Sequence, residues 1–265
     1  MIYVCIPSHD EAPTVGLLLW KIRQVFTGFP REYQLLVADD GSTDNTSEVL
    51  GPYARVLPLS IVRHAERQGY ARTVEELLRL AVERTDRPKR DCAILIHADF
   101  SHGPQFIPDL VRRIDSGADL VVAEGTLEGE PSRGRRMLRR WASLLLRGRV
   151  QVPGVTDLVS GFAAFRLATL RNALKAQDGP MLTTDGWAAN AELLARTARF
   201  SRRTEAVAAV ERHDLRRRPT RLEPWAGARA LWSARRHLNV PPPPPQPTEP
   251  RRPPRTAPEA ETATT

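Results

Sequence analysis

The alternation of short apolar runs with helix-period segments constrains this 265-residue chain more than any other feature. Residues 2–6, 34–38, 55–62, 92–98 and 120–123 are short runs rich in Val, Ile and Leu, the pattern of β-strands. Between them, residues 14–26, 43–50, 71–83 and 104–114 place apolar side chains three and four apart, as helices do. Strands apolar on both faces and separated by helices predict an α/β fold with a mostly parallel, Rossmann-like sheet flanked by helices. Such sheets take ligands outside the carboxyl ends of their strands. The residues that follow each run are therefore the place to look for chemistry.

The pattern stops near residue 240. Pro241 to Pro245 is a run of five prolines, and ten of the 23 prolines lie from residue 241 onward. Proline fixes φ and donates no backbone hydrogen bond, so residues 241–265 read as a disordered Pro-rich tail behind a domain of residues 1–240. No apolar run approaches the roughly 20 residues of a spanning helix, and the N-terminus lacks a basic-then-apolar leader. Cys5 and Cys92 each sit inside an apolar run, without CxxC or zinc-site spacing, and read as reduced core thiols. The expected location is the cytoplasm. The net charge of +8 rests on 36 Arg and three Lys and admits a nucleic-acid, anionic-membrane or phosphate partner.

Three strand ends carry acids. Pro7-Ser-His-Asp-Glu11 follows the first run, Asp39-Asp-Gly-Ser-Thr-Asp44 the second, and His97-Ala-Asp-Phe-Ser-His102 lies at the end of the fourth. Neither a GxGxxG nor a Walker A loop is present, which argues against capture of a dinucleotide or triphosphate by a glycine cradle. Carboxylates and imidazoles at one sheet edge suit a divalent cation that neutralises a diphosphate. Taken alone, Asp39-Asp-Gly-Ser42 is also an ordinary Asx-turn leading into a helix cap. Three acidic ends on one edge favour the binding site.

With Val155-Thr-Asp-Leu-Val-Ser-Gly-Phe162, these segments resemble family 2 glycosyltransferases, in particular the dolichol- and polyprenol-phosphate mannose synthase group. The resemblance implies a GT-A fold and inverting transfer of a hexose, mannose foremost, from a nucleotide-sugar to a polyprenyl phosphate. GDP-mannose is the favoured donor and a UDP-sugar the other. Pro7, His9, Glu11, Asp39, Asp40, Gly41, Ser42 and Asp99 would bind the nucleotide-sugar. His97, Asp99 and Ser101 would hold Mn2+ or Mg2+, and Asp99 and Asp157 would serve catalysis. An anionic acceptor needs no strong base.

The chain departs from the family pattern at several points. His97 stands where the family has the first Asp of Asp-x-Asp; it is either a metal ligand better suited to Mn2+ or a sign of weakened metal binding. Glu124-Gly-Thr126 replaces Gly-Ser-Arg, and Ala163 replaces an arginine that often follows Ser-Gly-Phe. Arg133, Arg135 and Arg136, in an acid-free segment of seven arginines, and Arg217 and Arg221 further on are the substitute cations for the acceptor phosphate. In that segment Met137, Leu138, Trp141, Leu144 and Leu145 fall at helical spacing, which suits peripheral contact with an anionic membrane. Family members without membrane helices also imply a small membrane partner subunit. Asp185 and Glu192, on a helical run to residue 199, become base candidates if the acceptor is a hydroxyl.

The same donor chemistry on a soluble hydroxyl, and a nucleotide-sugar-binding protein without catalysis, are the competing readings. A nucleic-acid binder has only basic charge in its favour, with no aromatic stacking platform.

Overall fold

The computed structural model describes residues 1–128, 146, 149–212, 231–234, 236, 238 and 240–244. Seven strands form one sheet: β1 (Ile2–Ser8), β2 (Tyr33–Asp40), β3 (Leu59–His64), β4 (Cys92–Leu95), β5 (Leu120–Glu128), β6 (Ala163–Arg166) and β7 (Thr204–Arg212). Their spatial order is β3-β2-β1-β4-β6-β5-β7. All neighbours are parallel except β6, which runs antiparallel between β4 and β5. The expected mostly parallel α/β sheet is therefore present.

Alternation along the strands loads both faces. Ile2, Val4 and Ile6 of β1 and Leu35 and Val37 of β2 pack into one apolar cluster; Tyr3, Cys5, Leu36 and Ala38 pack into the other. On the first face lie α1 (Ala12–Gly28), α2 (Thr46–Tyr53) and α4 (Ile107–Asp115), through residues such as Leu18, Ile22, Leu50 and Leu110. On the second lie α3 (Tyr70–Arg84), α5 (Leu167–Lys175) and α6 (Gly186–Ala198), through Leu77, Leu78, Leu170, Leu174 and Leu193. At ~1.5–3 kcal/mol for each large apolar side chain removed from water, these two layers are the main source of stability. Both cysteines are buried inside them as free thiols; burial pushes Cys92 up to about 12 and Cys5 upward as well, so neither is nucleophilic near neutral pH.

Some boundaries differ from the sequence expectation. The run at 55–62 begins as a turn: the N–H groups of Ala54 and Leu57 bond back to Leu50 and Tyr53 of α2, so strand pairing starts only at Leu59 and continues to His64. The fourth run pairs regularly to Leu95, with Ile96 still donating to Cys5, and then breaks into a turn in which Phe100 adopts φ +60. β5 extends to Glu128 because β7 pairs along its whole length.

Candidate active site

The loops behind β1 and β2 are locked together. Thr43 donates its backbone N–H to Asp10 Oδ1 at 2.7 Å, Asp10 N–H donates to Ser42 Oγ at 2.9 Å, and Glu11 N–H donates to Thr46 Oγ1 at 2.8 Å. Asp10 takes φ +50 to do this. Asp39 accepts from Ser42 N–H at 3.2 Å and from the Ser47 hydroxyl, tying the loop to α2. Gly41 has φ +61, and a Cβ there would come 2.6 Å from Arg67 N; the next connection crosses directly above it, so no larger residue fits.

Asp40, at the tip of β2, organises that connection. One oxygen accepts from His64 Nδ1 at 2.8 Å and Gln68 N–H at 2.7 Å, the other from Gly69 N–H at 3.0 Å. Burial alone would raise the Asp40 carboxyl, but these hydrogen bonds and the imidazole hold it below its ordinary value. His64 is also bound through Nε2 to Glu76 at 2.7 Å. Burial opposes its charged form, yet the two carboxylates raise it above the usual histidine value.

Segment 68–71, which opens α3, is held from further sides. Ala71 N–H donates to Asp185 Oδ1 at 2.9 Å. Tyr70 Oη lies 2.7 Å from Asn190 Oδ1 and 3.3 Å from His97 Nε2, and the Tyr70 and His97 rings stack at 5.2 Å with an 8° tilt. Burial pushes the Tyr70 phenol upward, so it stays protonated. Gly161 backs onto His97 so closely that a Cβ would lie 1.8 Å from Nε2. Ser160 anchors that turn by donating to Ala123 O at 2.7 Å.

These elements enclose a cavity of about 150 Å³ outside the carboxyl ends of β1, β2 and β4. Pro7, His9, Glu11, Asp40, His97 and Asp99, all singled out from the sequence, line it. Asp39, Gly41 and Ser42 are absent from the lining; they shape the loop beside it. Ser101 is buried, with its N–H on Asp99 Oδ1 at 2.9 Å and its hydroxyl 3.2 Å from His102 Nδ1. Asp157 lies on a neighbouring turn that Glu124 holds by accepting from Asp157 N–H at 3.1 Å and the Thr156 hydroxyl at 3.0 Å. Glu124, which replaces a family position, thus has a structural partner. Arg133, Arg135, Arg136, Arg217 and Arg221, the apolar stripe from Met137 to Leu145, and the tail from residue 245 lie outside the described residues.

Sequence reasoning missed Ser8, Arg67 and Tyr70, which also line the cavity. Arg67 and Tyr70 follow a strand that continues to His64, two residues past the Val62 at which its apolar run ends in the sequence. Arg166 gives no substitute for the arginine absent at position 163: it lies at the opposite edge of the sheet, bound to Asp119 at 2.9 Å and to carbonyls of Ile114 and Ala118. Glu192 is fully buried and accepts from the N–H and hydroxyl groups of Thr183 and Thr184 and from Arg196. With Glu75, which accepts from Met181 and Leu182 N–H, it fixes the loop leading to Asp185.

Among the described residues, no three His, Cys, Asp or Glu side chains form a ready-made metal cluster. The cavity nevertheless suits a cation carried in by a diphosphate. His97 and Asp99 offer two donors, and the Ser8 hydroxyl is buried at the wall with no hydrogen-bond partner among the described residues. An ion with two protein donors completes its shell with phosphate oxygens and water, as Mg2+ and Mn2+ sites commonly do.

The cavity at the carboxyl edge of this α/β sheet is thus lined by carboxylates, imidazoles and one guanidinium-bearing residue. Residues 3–174 match the model of Glycosyl transferase family 2, and the chain belongs to that family. It is 27% identical over 204 residues to an undecaprenyl-phosphate mannosyltransferase of Micrococcus luteus, covering 75% of this chain and 78% of that protein. It is 26% identical over 168 residues to a dolichol-phosphate mannosyltransferase of Pyrococcus furiosus, covering 62% of this chain and only 45% of the relative. Among solved structures, glucosyl-3-phosphoglycerate synthase from Mycobacterium tuberculosis, in complex with Mn2+, UDP-glucose and glycerol 3-phosphate, superimposes with a TM-score of 0.57 at 19% identity, over 91% of this chain and 81% of that one. A mannosyltransferase from Pyrobaculum calidifontis, in complex with GDP-Man and Mn2+, gives a TM-score of 0.50 at 21% identity, over 79% and 56%. These structural likenesses show the GT-A fold.

Proposed function

We propose that this protein transfers a hexose, mannose foremost, from a nucleoside-diphosphate sugar to a polyprenyl phosphate with inversion at the anomeric carbon. One observation carries the reading: the carboxylate of Asp40 from β2 and the His97–Asp99 pair behind β4 meet in one cavity at the carboxyl edge of the sheet. The polyprenyl-phosphate mannosyltransferase names of the two relatives support the acceptor and the sugar. The GDP-Man and UDP-glucose complexes of the two solved structures leave GDP-mannose and a UDP-sugar as the donors to compare.

Pro7, His9, Glu11, Asp39, Asp40, Gly41 and Ser42 would hold the nucleoside. Asp40 acts through the geometry it imposes on residues 64–69, since its oxygens are already engaged there. His97 and Asp99 would hold Mn2+ or Mg2+, which supplies charge neutralisation for the departing diphosphate. Ser101 orients Asp99 through its backbone N–H. Arg67, at the cavity wall, adds a cation for the same negative charge. Asp157, on the turn that Glu124 holds, would serve catalysis on the acceptor side. The acceptor phosphate attacks in line, already ionised, so the chain need not remove a proton. Arg133, Arg135, Arg136, Arg217 and Arg221 would bind it.

No helix among the described residues is long and apolar enough to cross a membrane. We place the protein in the cytoplasm, in peripheral contact with an anionic membrane and with a small membrane partner. A hydroxyl acceptor would need a base, and Glu192 is consumed by six donor contacts on Thr183, Thr184 and Arg196. The test is transfer of labelled sugar from GDP-mannose or UDP-glucose with Mn2+ or Mg2+. Lipid-extractable label that requires polyprenyl phosphate is the expected product; water-soluble label independent of lipid would refute the acceptor.

A further inference from the structure

The imidazole at position 97 is built into a closed circuit of contacts. Asn190 Nδ2 donates to Val159 O at 3.2 Å, and because that carbonyl can only accept, the amide orientation is fixed. The Asn190 atom facing Tyr70 is then the oxygen, so the Tyr70 hydroxyl donates its proton to Oδ1 at 2.7 Å. The Tyr70 oxygen, 3.3 Å from His97 Nε2, is left as an acceptor, which selects the Nε2–H form of the ring and puts its lone pair on Nδ1. Gly161, two residues beyond Val159, closes the circuit by packing on Nε2, and the stack on Tyr70 fixes the ring plane.

We propose that Tyr70 is a positioning residue: it holds His97 in one tautomer and one plane so that a neutral imidazole, in place of a carboxylate, presents Nδ1 as a cation donor beside Asp99. The proposal rests on the reading of His97 and Asp99 as the cation's protein donors. Histidines that bind metals are commonly oriented by a hydrogen bond from their other ring nitrogen, and loss of that partner weakens affinity. Here the partner is a tyrosine that belongs to the nucleotide side of the cavity, because Gln68 and Gly69, immediately before it, bind Asp40. The circuit therefore links the nucleoside end of the site to the diphosphate end.

The first measurement needs no activity. Long-range proton–nitrogen correlation on metal-free, 15N-labelled protein at alkaline pH, with the His97 signal identified by its loss in His97→Asp, should show the Nε2–H pattern. An Nδ1–H pattern would overturn the proposal. Tyr70→Phe keeps the stacked ring and removes only the hydroxyl. It should shift His97 toward a mixture of tautomers and weaken Mn2+ affinity, read by electron paramagnetic resonance with Mn2+ alone, by roughly 10–100-fold. An unchanged tautomer, or a changed tautomer with unchanged Mn2+ affinity, would overturn it as well. Full Mn2+ affinity in His97→Ala would instead refute the underlying donor assignment while leaving the tautomer result in place.

Discussion

Replacing Gly161 with Ala isolates a single contact. Gly161 is not among the glycines with positive φ, so alanine meets no backbone strain there. Its Cβ would lie 1.8 Å from His97 Nε2 and 2.4 Å from Cδ2, whereas ordinary contact begins at 3.4 Å. The ring cannot simply withdraw, because Tyr70 stacks on it. Overpacking of this kind costs about 1–3 kcal/mol, and for a domain of this size each kcal/mol lowers Tm by roughly 2–4 °C. Displacement of a ligand-positioning group by about 1 Å costs on the order of 100-fold in rate. The assay is a double-mutant cycle read by thermal unfolding and by transfer rate. In a His97→Ala background the three atoms nearest the methyl are gone, so Gly161→Ala should cost much less there, with a coupling of about 1–3 kcal/mol in stability. Equal destabilisation in both backgrounds would refute the packing of His97 against Gly161.

Other outcomes follow from the same contacts. His64 is raised by Asp40 and Glu76, so its contribution is complete below the unfolded histidine value and is lost as pH rises through its higher folded value. Asp40 is lowered, so its contribution is present above the unfolded carboxyl value and lost as pH falls through its lower folded value. Thermal scans across pH should show stability declining on the alkaline side of the unfolded histidine value, and His64→Gln should flatten that decline. Glu192→Ala removes a fully buried carboxylate from half-buried Arg196 and from four donors on Thr183 and Thr184, and should cost about 1–3 kcal/mol by denaturant titration, with Glu192→Gln costing less. His97→Asp, which restores the family pattern, should retain or improve Mg2+-dependent transfer; complete loss of turnover would show a role for His97 beyond cation binding.

What the sequence revealed was local, and what it concealed was distant. Residues 2–6 and 34–38 were legible as strands because both faces are buried, leaving unbroken apolar runs. β6 escaped notice: Ala163–Arg166 is four residues long, without a β-branched side chain. β7 carries Glu205 and Arg212 among alanines, and its stability comes from pairing with β5, about 80 residues earlier in the chain. The acids behind β1, β2 and β4 were visible because each follows its strand directly. Nothing local marks Tyr70, whose partners His97 and Asn190 are 27 and 120 residues away. Nor does local pattern distinguish Glu192 as a structural acid, since its partners on Thr183 and Thr184 belong to a loop that also depends on Glu75.

Calorimetric titration of GDP-mannose and of UDP-glucose, each with Mn2+, into the wild type and into Asp99→Ala tests the central claim most directly. The wild type should bind at least one of the two, and the variant should keep its fold while losing affinity by about tenfold or more, the consequence of removing one charged partner from a half-buried site. Equal affinity in the two proteins, or no binding of either sugar nucleotide to the wild type, would contradict it.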